Sequence, residues 1–148
     1  SGGGQMINQA GGHNVIESDM QVEDSDYADA EAVINSNPDV VIKTVYRDQK
    51  DGIMADNYLP PEEADYTFAK EEMKSREGFS KMKAIEDDNI IMCSDFCLRG
   101  GGNTVGLAFF AKWLHPDLFE DCDAYEIFDQ WMTEFQNMDA IEGHVYEG

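Results

Sequence analysis

Two short runs of mainly branched apolar residues constrain the fold of this chain more than any other feature. Val40-Val41-Ile42 continues through Val45, and Ile90-Ile91-Met92 follows a polar turn. A continuous apolar run, unlike an alternating one, is typical of a strand that is buried on both faces, as in parallel α/β sheets. A segment with helical character precedes each run. The order helix, strand, helix, strand, helix, helix therefore predicts a three-layer α/β/α fold with a mostly parallel central sheet.

The predicted helices are placed by their end signals and by the spacing of apolar residues. They cover residues 5–10, 29–35, 62–84, 104–114 and 123–135. Gly11-Gly12 ends the first of them, and Gly78 is the point at which the third can break. Residues 17–29 and 46–65 are predicted loops, and residues 137–148 a loose tail.

The charge of the chain excludes several classes of function. Lys and Arg total 10 and Asp and Glu total 31 among 148 residues, which gives a formal net charge of −21. Nucleic acid and anionic lipid both require a basic surface, so neither is an expected partner. No apolar run is long enough to span a bilayer. Because the acidic residues are spread along the chain, they favour a strongly solvated surface or a basic partner over a dedicated cation site.

The residue types that build catalytic and metal centres are not grouped in the sequence. Cys93 and Cys97 lie four positions apart, Cys122 is distant, and the histidines are widely spaced. Neither a zinc pattern nor a catalytic triad follows from this spacing. The cysteines are read as small apolar side chains with at most one bridge between them. We predict no enzymatic activity, no metal site and no cofactor.

A glycine run keeps one enzymatic alternative open. Gly100-Gly101-Gly102 precedes a predicted helix, and a helix N-terminus can hold an anion. Its spacing fits neither a Walker loop nor a dinucleotide fingerprint. The alternatives to a binding lobe are a flavodoxin-like α/β enzyme domain with an anionic cofactor at this loop, and a stand-alone acidic interaction domain.

Polar and aromatic residues follow both predicted strands at their carboxyl ends. Tyr46 and Arg47 follow the first strand, and Asp95, Phe96 and Arg99 follow the second. Ligands of open α/β sheets bind beyond the carboxyl ends of the strands, and Arg pairs well with carboxylate or phosphate. These five residues are candidate ligand contacts. On composition alone, a surface loop with local ion pairs fits them as well.

Four segments in order carry a family resemblance. They are residues 7–14 with Gly11-Gly12, residues 37–42 with Asn37-Pro38-Asp39, residues 79–92, and residues 111–119 with Ala111-Lys112-Trp113-Leu114-His115-Pro116. Together they resemble the substrate-binding proteins of iron-siderophore, haem and cobalamin ABC transporters. The last segment is similar to a signature of archaeal iron-type members.

The resemblance extends over the carboxyl-terminal lobe of that family, whose members hold a ligand between two α/β lobes. It implies that residues 1–148 form one domain, a non-enzymatic lobe that acts outside the cytoplasm, in the periplasm or anchored at the cell surface. The implied partners are a ferric siderophore or related metal complex, shared with a second lobe, and an ABC permease. It also implies that Tyr46, Arg47, Asp95, Phe96 and Arg99 face the cleft. Phe79 stands where the family has Trp or Tyr, which leaves the identity of the metal complex open.

The resemblance also implies a docking residue. In this family an acidic side chain at the outer tip of each lobe meets arginines of the permease. Counting back seven positions from Pro38, as in the cobalamin-binding member, leads to Glu31. A carboxylate is favourable near the start of a helix, so a helix-terminal Glu without a partner is the alternative reading.

Overall fold

A three-stranded sheet forms the centre of the computed structural model, which describes residues 2–18, 28–47, 59–99 and 101–147. The strands are β1 (Val41–Val45), β2 (Ile90–Ser94) and β3 (Val145–Tyr146), in the spatial order β1-β2-β3. β1 and β2 are parallel, with Val45 opposite Ser94. β3 pairs with β2 in the antiparallel direction, with Val145 opposite Cys93.

Seven α-helices surround the sheet in the part of the chain that is described. They are α1 (Gly2–Gln9), α2 (Val15–Ser18), α3 (Ala30–Ser36), α4 (Glu63–Ser75), α5 (Lys83–Glu86), α6 (Gly102–Leu114) and α7 (Ala124–Gln130). Short 3₁₀ turns cover Phe79–Lys81 and Asp95–Leu98, and α7 continues as a π turn over Trp131–Phe135. None of these helices is long and apolar enough to cross a membrane.

The helix predicted over residues 62–84 is three elements rather than one. α4 ends at Ser75, and Gly78 takes the left-handed conformation with φ at +82°. Glycine has no Cβ atom and adopts this backbone conformation readily, so the chain turns here. The predicted break at Gly78 is confirmed.

Side chains of β2 divide between the two faces of the sheet. Met92 packs with Tyr66 and Met73 of α4 on one face. Cys93 packs with Phe110 of α6 and with residues of α1 on the other. Successive residues of a strand point to opposite faces, so helices on both sides bury β2 completely. The predicted three-layer α/β/α arrangement is confirmed.

β1 is less buried than its apolar sequence predicts. Val45 is fully buried, whereas the other four residues of the strand are only half-buried. β1 lies at the edge of the described sheet and pairs with β2 alone. Lys43 in its middle is close to Glu72 of α4 and to Arg76 directly after that helix, and burial lowers the pKa of its amine. The prediction of burial on both faces is correct for β2 and wrong for β1.

The turns that lead into β1 and β2 are tied together. Asn37 ends α3 in the left-handed conformation, and its side-chain carbonyl accepts a 2.8 Å hydrogen bond from the amide of Lys83. The side-chain amide of Asn89 donates a 2.7 Å hydrogen bond to the carbonyl of Asp39. These two bonds hold the amino ends of the two strands side by side, which supports their register.

The prediction of a loose tail over residues 137–148 is wrong for its last part. β3 adds a third strand to the sheet, and the preceding His144 is only 4% exposed. Tyr66 of α4 stacks on Tyr146 with ring centroids 5.0 Å apart. A two-residue strand has no detectable periodicity, and its anchor lies on a distant helix, so local sequence does not reveal it.

Candidate ligand-binding site

Tyr46, Asp95 and Arg99 meet at the carboxyl ends of β1 and β2. Tyr46 and Asp95 directly follow Val45 and Ser94, which are paired in the register of the two strands. Arg99 Nε lies 2.5 Å from Asp95 Oδ2, and the Arg99 guanidinium also donates a hydrogen bond to the Tyr46 hydroxyl. The structure therefore brings together three of the five predicted ligand contacts.

The electrostatics of this group are asymmetric. The Asp95 side chain is 4% exposed, whereas that of Arg99 is 73% exposed. Hydrogen bonding to Asp95 raises the pKa of Arg99, and burial together with the Asp95 charge raises the pKa of Tyr46. At neutral pH the group thus combines a neutral phenol, a buried carboxylate and a cation directed to solvent. An exposed guanidinium held in this way can donate hydrogen bonds to oxygen atoms of a ligand.

Arg47 lies beside this group but is held by other partners. Its Nη2 lies 2.7 Å from Glu62 Oε1, and its Nη1 donates a 3.3 Å hydrogen bond to the carbonyl of Pro60. These contacts fasten the end of β1 to the start of α4. Arg47 thus forms the kind of local ion pair that was the alternative to ligand contact. A direct ligand contact by Arg47 stays a prediction.

The surface at these strand ends is shallow. A hollow of about 10 Å³ is lined by Tyr46, Arg47 and Asp95, together with Val45, Leu59, Pro61 and Ser94. This volume is close to the least that admits one water molecule. Among the described residues, the ends of β1 and β2 therefore offer a ligand a contact surface with a fixed cation and not an enclosed pocket.

Phe96 lies apart from the other four candidate residues. Its ring packs 4.5 Å from the His144 ring, 5.8 Å from Phe128 and 5.9 Å from Trp131. Phe96 lines a second cavity, of about 240 Å³, that shares no lining residue with the hollow. In a 3₁₀ turn successive side chains diverge by about 120°, so Asp95 and Phe96 are directed to different regions.

His144 also lines this second cavity and was not among the predicted site residues. The sequence places it in a tail with no apolar run before it, so no local signal marks it as buried. Its ring Nδ1 lies 2.7 Å from Ser94 Oγ, and burial lowers its pKa to about 4. The buried imidazole is therefore neutral at physiological pH.

The glycine run has a packing role. A Cβ atom on Gly102 would lie 2.3 Å from the carbonyl oxygen of Phe96, and one on Gly106 would lie 2.0 Å from that of Cys97. Glycine at these two positions lets α6 approach the turn after β2 closely. Gly100 lies outside the described residues. Close packing thus explains Gly102 without an anion, which weakens the enzymatic alternative.

The cysteines are free in the structure. Cys93 and Cys97 are buried, as expected of small apolar side chains, and Cys122 is half-buried. A hydrogen bond donated by the Cys93 thiol to Cys97, together with burial, raises the pKa of Cys93 well above its usual value. Within the ranges that the structure describes, no three metal-ligating side chains are grouped. Glu31, the predicted docking residue, is exposed in the first turn of α3, and Asp29 provides the N-cap of that helix.

The fold is similar to part of a solved periplasmic binding protein. It is similar to the crystal structure of the TroA-like periplasmic binding protein FepB from Veillonella parvula, with a TM-score of 0.81 and 19% sequence identity. The similarity covers 98% of this chain and 41% of that one, so the chain spans about two fifths of the length of that protein. The predicted α/β fold with a mostly parallel sheet is confirmed. No protein-family model and no curated protein matches the chain.

Proposed function

We propose that this chain is a ligand-binding lobe of a solute-binding protein that delivers its ligand to an ABC permease outside the cytoplasm. The similarity in fold to part of a periplasmic binding protein supports a binding role over a catalytic one. The observation that carries the proposal is the exposed Arg99 guanidinium held over the buried Asp95 carboxylate at the strand ends. Ligands of open α/β sheets bind at this edge.

The chemistry of the group suits an oxygen-rich anionic ligand. Arg99 is oriented by Asp95 and Tyr46, so fixing it in a complex costs less conformational entropy than fixing a free arginine. The proposed ligand is a ferric siderophore or a related metal complex, whose carboxylate, catecholate or hydroxamate oxygens accept hydrogen bonds. The surrounding negative charge favours a complex in which the metal neutralises part of the ligand charge.

The shallow surface implies a shared site. A hollow of about 10 Å³ cannot enclose a metal complex, so the proposed ligand is covered by a second lobe on its other side. One contact surface provides only part of the favourable interactions, whereas binding still costs the whole loss of translational freedom. The chain alone is therefore expected to bind such complexes only weakly.

A titration of the two-lobed protein tests this function. Ferric catecholate and hydroxamate complexes, haemin and cobalamin are added separately, and binding is followed by calorimetry. Arg99→Ala should weaken binding of the preferred complex by roughly ten- to 150-fold, the range for hydrogen bonds to charged groups. Arg76→Ala is the matched control, because Arg76, directly after α4, pairs with Glu72 in the same i, i+4 geometry and both side chains are exposed.

Two results would contradict the proposal. One is the absence of binding to any of these complexes by the two-lobed protein. The other is equal binding by the wild type and Arg99→Ala, which would limit Arg99 to its ion pair with Asp95.

A further inference from the structure

The second cavity is an aromatic chamber that opens to solvent. It lies between α6, α7 and residues 140–145 and has a volume of about 240 Å³. Its aromatic lining consists of Phe96, Phe109, Tyr125 and Phe128. An apolar cavity of about 150 Å³ in another protein stays dry and binds benzene. The chamber is therefore large enough for a single substituted aromatic ring.

One polar group of the chamber has an open hydrogen-bonding position. His144 Nδ1 lies 2.7 Å from Ser94 Oγ. In the described part of the chain, that nitrogen is the one acceptor available to the buried Ser94 hydroxyl. We assign the hydroxyl as the donor to Nδ1, which places the ring proton on Nε2. Nε2 has no acceptor among the residues that the structure describes, so an N–H donor is left on a ring that lines the chamber.

The charged and polar groups around the chamber exclude some classes of ligand. Asp129 and Glu142 also line it, and both are exposed to solvent. Two carboxylates at the opening of an apolar cavity disfavour an anionic compound such as benzoate. A purely apolar ring would leave the His144 donor without an acceptor, which is unfavourable in a buried site.

From this geometry we propose that the chamber binds an uncharged one-ring aromatic compound whose oxygen atom accepts a hydrogen bond from His144 Nε2. The ring of the compound packs among the four aromatic side chains, and its oxygen faces the histidine. This site is separate from the surface at Tyr46, Asp95 and Arg99, since the two share no lining residue. It does not depend on the proposed transport function.

Titration of the protein with phenol, toluene and benzoate tests the proposal. Phenol offers both the ring and the acceptor, toluene lacks the acceptor, and benzoate adds a negative charge. Phenol should bind at least about tenfold more tightly than either of the others. In a ¹⁵N NMR experiment the Nε2 resonance of His144 should shift on addition of phenol, which reports the hydrogen bond directly.

Two variants locate the site. Ala140→Leu places a larger side chain in the chamber and should reduce phenol affinity by at least about tenfold, because little room is left for a ring. Ala32→Leu on α3 makes the same change away from the chamber and should leave binding unaltered. His144→Phe keeps a ring but removes the donor, and phenol and toluene should then bind equally.

Three outcomes would overturn the proposal. They are equal binding of phenol and toluene to the wild type, benzoate binding as tight as that of phenol, and phenol binding that Ala140→Leu does not weaken. If His144→Phe does not fold, the Nε2 resonance and Ala140→Leu still decide the result.

Discussion

Tyr66 on α4 and Tyr146 on β3 stack with their ring planes 8° apart and their centroids 5.0 Å from each other. The Tyr66 hydroxyl also donates a 2.7 Å hydrogen bond to the carbonyl of Gly143, 77 positions later in the chain. Burial raises the pKa of Tyr66, so the hydroxyl keeps its proton and remains a donor. One side chain thereby holds the segment that carries His144 and β3 against the sheet.

Removal of the Tyr66 hydroxyl should loosen this segment. Tyr66→Phe keeps the stacked ring but leaves the Gly143 carbonyl without its donor, at a cost of about 0.5–1.5 kcal/mol in unfolding free energy. Urea denaturation measures the loss. Tyr125→Phe is the control, since Tyr125 is 52% exposed and should change little. Equal stability of Tyr66→Phe and the wild type would show that the bond does not secure the segment.

The buried His144 predicts a loss of stability in mild acid. In the unfolded chain its imidazole takes up a proton near the usual pKa of 6.5, whereas burial lowers the folded-state pKa to about 4. Between these values the unfolded state binds more protons, so the free energy of unfolding falls as the pH falls. The largest loss that this one group can cause is about 3 kcal/mol.

Denaturant titrations from pH 7.5 to pH 4.5 check this prediction. In His144→Phe the free energy of unfolding should fall less steeply as the pH falls, because the titrating group is gone. Asn103→Ala, at an exposed residue that does not titrate, should keep the wild-type dependence on pH. If the free energy of unfolding depends on pH equally in the wild type and in His144→Phe, the acid sensitivity belongs to other groups.

The extent to which sequence predicts the structure differs among the elements. β2 and α6 could be predicted because each forms a local apolar pattern that its own neighbours bury. β3 could not, because two residues show no period and the anchor, Tyr66, lies far away in the chain. The exposure of β1 could not be predicted either, since it depends on the order of the strands in space.

The arrangement of the candidate site could likewise be predicted from the sequence only in part. Tyr46 and Asp95 could be placed together because parallel neighbouring strands end at the same edge of a sheet. The pairing of Arg99 with Asp95 follows from their spacing in a helical turn. The separation of Phe96 from Asp95 could not be predicted, because it depends on a 3₁₀ turn after the strand.

Gly106 should tolerate no side chain, although it lies inside a helix. In an ordinary helix, replacing glycine by alanine stabilises by roughly 0.5–1 kcal/mol. Here the added Cβ would lie 2.0 Å from the Cys97 carbonyl oxygen, so α6 has to move away from the turn after β2. We expect Gly106→Ala to destabilise the fold by about 1–3 kcal/mol or more.

Thermal and urea unfolding of Gly106→Ala measure this effect. Asn103→Ala, at an exposed position of the same helix, provides the comparison and should stay within about 0.5 kcal/mol of the wild type. A gain in stability on Gly106→Ala would show that the close approach of α6 to Cys97 is absent in solution.

Asp95 and Arg99 should respond unequally to single substitutions. Arg99→Ala leaves a buried carboxylate without its cation, whereas Asp95→Asn leaves an exposed guanidinium that water can solvate. Unpaired buried charge is the costlier state, so Arg99→Ala should lower the unfolding midpoint in urea more than Asp95→Asn does. The double variant should recover part of the loss caused by Arg99→Ala. The reverse order of the two single variants would contradict the burial of Asp95.

Glu31 is the residue at which the proposed permease docking can be tested separately from ligand binding. Glu31 is exposed in the first turn of α3, so reversing its charge should leave the packing of the protein intact. Rim charges mainly steer association and orient the partners, so Glu31→Lys should slow association with the permease and reduce transport. Its ligand affinity should equal that of the wild type, and the defect should be larger at low ionic strength, where charges are less screened.

Glu63→Lys is the matched control, because Glu63 is likewise exposed in the first turn of a helix. Association rates and uptake are measured for all three proteins at two salt concentrations. Normal uptake by Glu31→Lys at low salt, or an equal defect in Glu63→Lys, would remove Glu31 from the docking surface.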